Sequence, residues 1–361
     1  MKDKIQPPVL LSVFRESFIG GIAVHSSNLY NKLREQGIDA VKVDYGPVFK
    51  AQKAGNPLAL FGAFCSLLFK TLGLRLRGYK FFHFHSSNTA LPYLLLCIPL
   101  YLTGCKLLLS LHSGYGFDKW LNKHPFYAKI DGILFRLLDK LIFMNQEESV
   151  AVATRYPHLA NRIVTINPYI APQESEIPKK TDFPPNEIFT VATIGAWGKR
   201  YNVQEAVKGA LLFSRKNNIP VQVTVIQSTS LTEPEYVERT KAEFAEYEKD
   251  IHITLIEDTP HILEILARSD VFIRSSLGDS YGLCVAESLL VGTPAIVTDI
   301  CRRCNASKLY NPGDYNKMIA YLEEIYQNRP EKRENVRLLE KEEDAFNNYL
   351  DLYQTVGYKK K

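Results

Sequence analysis

The sequence predicts an α/β protein of two doubly wound domains facing a cleft. Three observations carry this. Short β-rich apolar runs alternate with amphipathic helical segments along almost the whole 361-residue chain. The runs are near-continuously apolar, the pattern of parallel strands covered on both faces. The alternation breaks once, at Ala171–Glu187, and then restarts. A chain of this length exceeds what one hydrophobic core serves and suits two.

In the front half, strands are expected at Pro8–Phe14, Asp39–Tyr45, Lys80–Ser86, Lys106–His112, Lys140–Asn145 and Arg162–Tyr169. Helical patterns separate them, as at Ile22–Gly37, where Gly37 takes the expected cap position. The break at Ala171–Glu187 contains four prolines and mixed charge. It reads as a linker, 173–187, between a domain over 1–172 and another over 188–330. In the rear half, strands are expected at Phe189–Ala196, Val221–Gln227, Ile251–Asp258, Asp270–Ser276 and Ala295–Asp299. A charged helical pattern, Glu331–Tyr353, ends the chain without a following strand.

Composition is that of an ordinary soluble globular protein. The opening MKDKIQPPVL lacks the apolar core of a signal peptide. The longest apolar stretch, Ala90–Gly104, holds two prolines and is shorter than a membrane span, so a buried helix is expected. The six cysteines read as reduced thiols, and Cys301-Arg-Arg-Cys304 lacks a second pair for a zinc site. These features place the protein in the cytoplasm. Residues 1–172 carry 20 Lys and Arg against 10 Asp and Glu, whereas the remainder carries 24 against 29. A basic front half suits an anionic partner or is charge drift. No helix-turn-helix, finger or RNA-binding pattern appears, so nucleic acid is not expected.

Ligands of doubly wound sheets bind beyond the carboxyl ends of strands, so the strand-to-helix loops are where chemistry belongs. The stretch GDSYGLCVAES, Gly278–Ser288, lies in such a loop and opens a helix near Gly282. Free N–H groups and the positive dipole end at that start suit a diphosphate. Glu287, in the helix, has the oxygens to accept bonds from a ribose diol, and Asp279 those to bind sugar hydroxyls. A capping Asp and a solvated Glu explain the same spacing.

The longer segment VFIRSSLGDSYGLCVAESLLVGTPAIVTD is similar to the signature of glycosyltransferase family 4. Ser275, Asp279, Tyr281, Gly282, Leu283, Glu287, Gly292, Thr293, Pro294 and Asp299 match that signature in order. Asp279 stands where the family usually has Glu. Weaker similarity runs through the rest of the chain. Val191–Leu212 resembles the family's diphosphate segment, with Lys199 and Arg200 as the cations; Ala196 replaces its usual Arg. Phe18–Leu33 resembles the Gly-Gly loop, with Gly20 and Gly21 near donor or acceptor. Lys106–Gly114 resembles the strand ending in a His near the donor sugar, here His112. His85 ends the neighbouring strand and is an acceptor-side candidate, and its alternation with His83 turns one of the two into a packed layer. Leu309–Ile325 resembles the Pro-Gly-Asp opening of a late helix.

The resemblance implies a GT-B fold of two Rossmann-like domains, with the segment 331–361 crossing back to the first. It implies a retaining hexosyltransferase that takes a nucleotide sugar as co-substrate and requires no metal or other cofactor. The absence of a DxD acid pair in a suitable loop agrees. Asp279 and His112 would be the catalytic pair; Gly20, Gly21, Lys199, Arg200, Ser275, Tyr281, Gly282, Leu283 and Glu287 would bind the donor. A glycan or lipid-linked acceptor, in bacterial-type surface polysaccharide or glycolipid synthesis, follows from the same likeness. A nucleotide-sugar epimerase or a catalytically silent nucleotide-sugar-binding partner would share these features; a nicotinamide dehydrogenase would need a GxGxxG that neither half has. Leu58–Lys80 and Lys119–Lys140 mix apolar, aromatic and basic residues. They read either as sheet-covering helices or as peripheral contacts with the anionic inner face of a membrane.

Overall fold

The computed structural model describes residues 6–18, 20–87, 91–113, 117–183, 187–329 and 334–357. The chain forms two compact units, Met1–Ala171 with Asp344–Lys361, and Pro172–Glu343.

The first unit runs β1 (Val9–Ser12), α1 (Gly21–Glu35), β2 (Val41–Asp44), α2 (Gly46–Lys53), α3 (Pro57–Leu76), β3 (Phe81–Ser86), α4 (Leu91–Leu102), β4 (Lys106–Leu111), α5 (Phe117–Lys123), α6 (Pro125–Leu137), β5 (Lys140–Phe143), α7 (Gln146–Arg155) and β6 (Ile163–Thr165). Its sheet has the order β2-β1-β3-β4-β5-β6, with every pair parallel. The strand order reverses between β1 and β3, so the loops after these two strands open the crevice where ligands collect. Strands β1 and β3 are buried along their whole length, which explains their unbroken apolar character. Gly37 closes α1 as expected, its N–H bonding to Arg34 and that of Ile38 to Leu33.

The second unit runs β7 (Phe189–Trp197), α8 (Val203–Asn217), β8 (Val221–Thr232), α9 (Pro234–Tyr247), β9 (His252–Glu257), α10 (Ile262–Arg268), β10 (Val271–Arg274), α11 (Leu283–Leu290), β11 (Ala295–Thr298), β12 (Lys308–Tyr310) and α12 (Tyr315–Gln327). Its order is β12-β11-β10-β7-β8-β9, again all parallel. The reversal here lies between β10 and β7. Strand β12 was not expected; at three residues it is too short to give a period. Asp314 caps α12, accepting from the N–H of Lys317 at 3.0 Å. The last helix, α13 (Phe346–Gly357), belongs to the first unit, where Tyr349 and Tyr353 are buried in its core.

Three expectations need correction. The proline-rich segment is not a free linker: Pro172 onward belongs to the second unit. There Lys180 reaches inward and donates to the Ser269 carbonyl at 3.1 Å, the Gly292 carbonyl at 3.2 Å and the Thr293 hydroxyl at 2.8 Å. A buried ammonium with three acceptors ties a segment that composition alone marks as loop. The expected final helix also starts late. Residues 334–340 are irregular and stay with the second unit, where Leu338 bonds to the Leu289 carbonyl. Residues 184–186 of the expected linker, 331–333 of the expected helix and Gly114 of the His112 motif lie outside the described residues. Lastly, α4 is not buried throughout, since Leu95, Ile98, Tyr101 and Leu102 are exposed.

Candidate functional site

In the second unit, the loops after β7 and β10 meet at the strand-order reversal. Ser275 donates its hydroxyl to the Asn202 carbonyl at 2.7 Å, the N–H of Leu277 bonds to the Arg200 carbonyl at 2.7 Å, and Arg200 Nε donates to the Gly278 carbonyl at 2.7 Å. The two segments singled out for the donor diphosphate are thus stitched into one surface. Lys199 is exposed beside it.

Helix α11 opens from this surface. Gly282 is its N-cap at φ +82°, a left-handed conformation that glycine adopts without strain. A Cβ there would lie 2.8 Å from Arg303 Nη1, 3.1 Å from Val285 and 3.2 Å from Asp279 Oδ2. Glycine is therefore required by backbone and by space. Leu283 begins the helix; the N–H of Val285 bonds back to the Gly282 carbonyl at 2.9 Å, and those of Leu283 and Cys284 have no earlier helical carbonyl to reach. Glu287, one turn on, is 7 % exposed.

Beneath the helix start lies a buried charge cluster. Asp279 Oδ2 meets Arg274 Nη2 at 3.0 Å and Arg303 Nη1 at 3.1 Å. Arg274 also donates to the Ile194 carbonyl at 2.5 Å, and Arg303 to the carbonyls of Thr298 at 3.2 Å and Tyr281 at 2.8 Å. Burial alone would raise the Asp279 carboxyl; the two guanidiniums outweigh it and hold the group far below the usual carboxylate range. Within this trio two cations face one anion at the amino end of α11. The second cation adds to the helix dipole and favours an anion there.

One expected catalytic residue and two expected donor contacts are engaged within the unit. Asp279 does not stand open to a sugar: its carboxylate is engaged by two arginines and by the N–H of Ser280. The Tyr281 ring is buried, and its hydroxyl donates to Glu343 at 2.6 Å beside Cys304 at 3.1 Å, so it anchors the turn. Ser275 is spent on the loop stitch described above. In each case packing and hydrogen bonding claim the group that motif position assigned to ligand. Cys304 behaves as a structural thiol, its pKa pushed up to about 12 by burial.

In the first unit, Gly20 caps α1 and Gly21 begins it. A Cβ on Gly20 would come within 2.8 Å of the Phe18 ring, so this turn has no space for a side chain. Pairing of β3 with β4 sets His85 beside Ser110, and the N–H of His112 bonds to the Ser86 carbonyl at 2.7 Å. His85 Nδ1 consequently lies 3.3 Å from His112 Nε2. His25, on α1, packs its ring 4.8 Å from that of His112 and 5.2 Å from that of His85. His83 is the packed member of its pair: Nδ1 meets the Tyr353 hydroxyl at 2.6 Å and Nε2 the Ser110 hydroxyl at 2.8 Å. Burial pulls the His25 pKa down to about 4 against the opposing bond to the Pro168 carbonyl. Burial and then the neighbouring imidazoles hold His83, His85 and His112 well below the usual value. The cluster is neutral at pH 7, so it offers lone pairs and N–H donors rather than charge.

Residues 173–337 match the family of glycosyl transferases group 1. That group 1 segment takes in the Arg200 loop, the Arg274–Asp279–Arg303 cluster and helix α11. No curated protein matches the chain in sequence. Its fold is that of solved two-domain enzymes. A trehalose-6-phosphate synthase, OtsA, aligns with a TM-score of 0.69 at 12% identity, covering 97% of this chain and 98% of that one. The UDP-forming α,α-trehalose-phosphate synthase of Burkholderia xenovorans aligns with 0.68 at 11%, covering 98% and 100%. HepE of Anabaena, in complex with UDP and glucose, aligns with 0.63 at 11%, covering 98% and 97%. The protein has the GT-B fold, two Rossmann-like units with parallel six-stranded sheets.

Sequence reading of the group 1 segment missed Arg274 and Arg303, and elsewhere it missed His25. Arg274 had a signal: it is the one charge inside the apolar run DVFIRSS after its opening Asp. Arg303 lies inside the Cys-Arg-Arg-Cys spacing, a pattern that signals sulfur chemistry and not an ion pair. His25 had none, because a single His on an amphipathic helix says nothing of what its ring meets.

Proposed function

We propose that the protein is a retaining glycosyltransferase that moves a hexosyl group from a nucleotide sugar to a glycan or lipid-linked sugar. The observation that carries this is the trio of two arginines and one aspartate beneath the glycine-capped start of α11, with Glu287 one turn along the same helix. A diphosphate seated on the helix start would place its ribose beside that carboxylate. Lys199 and Arg200 stand at the edge of the same surface and would offset the charge of the departing nucleotide diphosphate. Asp279 acts in this reading by holding the arginines. His112, neutral, would hydrogen-bond the transferred sugar, with His85 towards the acceptor and Gly20 and Gly21 giving close backbone approach. Diphosphate binding by arginine, lysine and a helix end calls for no metal at that position. Uridine is the first base to try, because HepE is seen with UDP and glucose and a trehalose-6-phosphate enzyme from E. coli with UDP-2-fluoro glucose.

A lipid-linked acceptor fits the first unit's surface. Helix α3 exposes Leu58, Phe61, Phe69 and Leu76, the last at 88 %. It packs beside α4, and α4 beside α6, which exposes Phe126, Tyr127 and Ile133. From Tyr45 to Phe117 the sequence has no Asp or Glu, while Lys70, Arg77 and Lys80 are exposed. An apolar face with cations at its rim suits the headgroups of an anionic bilayer. Helix α3 is 20 residues long and apolar enough to cross a membrane by length and composition. It is, however, packed on the unit through Leu67, Thr71 and Leu74, which favours lying on the surface. The six cysteines, none of them in a disulfide, support a reducing, cytoplasmic setting.

The test is a panel of nucleotide sugars, UDP-glucose first, scored by thermal stabilisation and by release of nucleotide with the anomeric configuration of the product read by NMR. Stabilisation by one donor, with release and retention, supports the reading. Absence of stabilisation by every donor and by free UDP refutes it.

A further inference from the structure

The first unit holds a cluster of three imidazoles whose grouping glycosyl transfer does not require. One ring nitrogen from each of His25, His85 and His112 lies within 4.8 Å of those of the other two. The rings come from α1, β3 and the residue after β4, elements that follow or form adjacent strands of the sheet. His25 Nδ1 is 2.6 Å from the Pro168 carbonyl, which accepts only, so that nitrogen carries the hydrogen and Nε2 a lone pair. His25 Nε2 is buried without a hydrogen-bond partner, and so is His85 Nε2. Buried polar atoms are nearly always partnered, so the orphaned lone pair of His25 Nε2 points to a missing occupant, which His85 would meet through Nδ1, beside His112 Nε2. A ring that donates its far N–H to a backbone carbonyl is the usual posture of a metal-binding histidine.

Spacing fits as well. Zn–N bonds of about 2.0–2.1 Å at tetrahedral angles put two ligand nitrogens about 3.4 Å apart. His85 Nδ1 and His112 Nε2 are already at 3.3 Å. Bringing His25 from within 4.8 Å to that spacing asks for a ring movement of up to about 1.4 Å, within side-chain reach. The fourth imidazole, His83, is excluded because Tyr353 and Ser110 occupy both of its nitrogens.

We propose that His25, His85 and His112 bind one divalent d-block cation, with a fourth position open to water. An all-imidazole set selects zinc, copper, nickel or cobalt over magnesium or calcium. The site does not depend on the transfer reading, because it requires only the three rings. If His112 serves the transferred sugar, the ion takes its lone pair, so occupancy inhibits transfer.

The test uses the full chain stripped with a chelator and titrated with Co²⁺ alone, then with Zn²⁺. Expected are one ion per chain by equilibrium dialysis and a visible Co²⁺ band of tetrahedral intensity that Zn²⁺ abolishes. His25→Ala should weaken binding by more than the roughly 10–100-fold that loss of a supporting partner costs. His112→Ala, at a partly exposed position, gives the same test where His25→Ala fails to fold. His252→Ala, on an exposed residue of the other unit, should change nothing. No tetrahedral band in the wild type, or full binding in folded His112→Ala, overturns the proposal, whatever the outcome of the donor panel.

Discussion

Asp279→Asn removes a charge while keeping shape, and it isolates what the buried cluster contributes. The carboxylate lies 3.0 Å from Arg274 and 3.1 Å from Arg303, with side-chain exposures of 13 %, 8 % and 1 % for Asp279, Arg274 and Arg303. At such separations each pair attracts by about 5 kcal/mol for an effective dielectric constant of about 20, before desolvation is subtracted. The amide cannot replace that, and it turns a two-to-one cluster into two facing cations with no anion. Breaking a buried pair by removing one partner costs about 3–5 kcal/mol, and the lower end is expected here because the arginines keep several carbonyl acceptors. Trp197 is buried at the end of β7 in the same unit and donates to Glu257 at 3.0 Å, so its fluorescence reports on this unit. In a Trp120→Phe background, urea unfolding followed at Trp197 should show a loss of about 3 kcal/mol. A loss below about 1 kcal/mol, the range of surface pairs, would refute the argument. The sign with pH follows. The carboxyl is depressed in the folded state, so its contribution is complete above the unfolded value and disappears only as pH falls through the strongly acidic range.

Glu287→Ala should weaken nucleotide binding by more than a hundredfold, since two hydroxyl bonds to a carboxylate are worth about 3 kcal/mol or more. Calorimetry with UDP checks this, and unaltered affinity would remove Glu287 from the site. In chelator, the chain should lose stability as pH falls from 7 to 5, because His25 is depressed from 6.5 to about 4 and the unfolded chain takes the proton first. About 2 kcal/mol is expected from His25 by pH 5, and a flat profile of melting temperature against pH would show the ring exposed. Flotation with phosphatidylserine vesicles in low salt should carry the protein, and Arg77→Ala with Lys80→Ala should weaken it roughly 30-fold at about 1 kcal/mol per residue. Salt-insensitive or absent binding would set the bilayer contact aside.

Period and polarity along the chain were enough to determine two parallel-sheet units, because a strand covered on both faces must be apolar throughout and its helices must be amphipathic. Eleven of the strand positions, the Gly37 cap and the opening of α11 at Gly282 were legible for that reason: each is a local consequence of its own residues. The same local logic found the Arg200 and Gly282 loops. What it could not reach were partners distant along the chain. Arg303 meets Asp279 across 24 positions, Tyr281 meets Glu343 across 62, and His25 meets the Pro168 carbonyl across 143. Only the order of strands brings those groups together. It engaged Asp279, Tyr281 and Ser275 with partners inside their own unit, tied Lys180 into a core, and gathered three imidazoles that the sequence scatters over 88 residues.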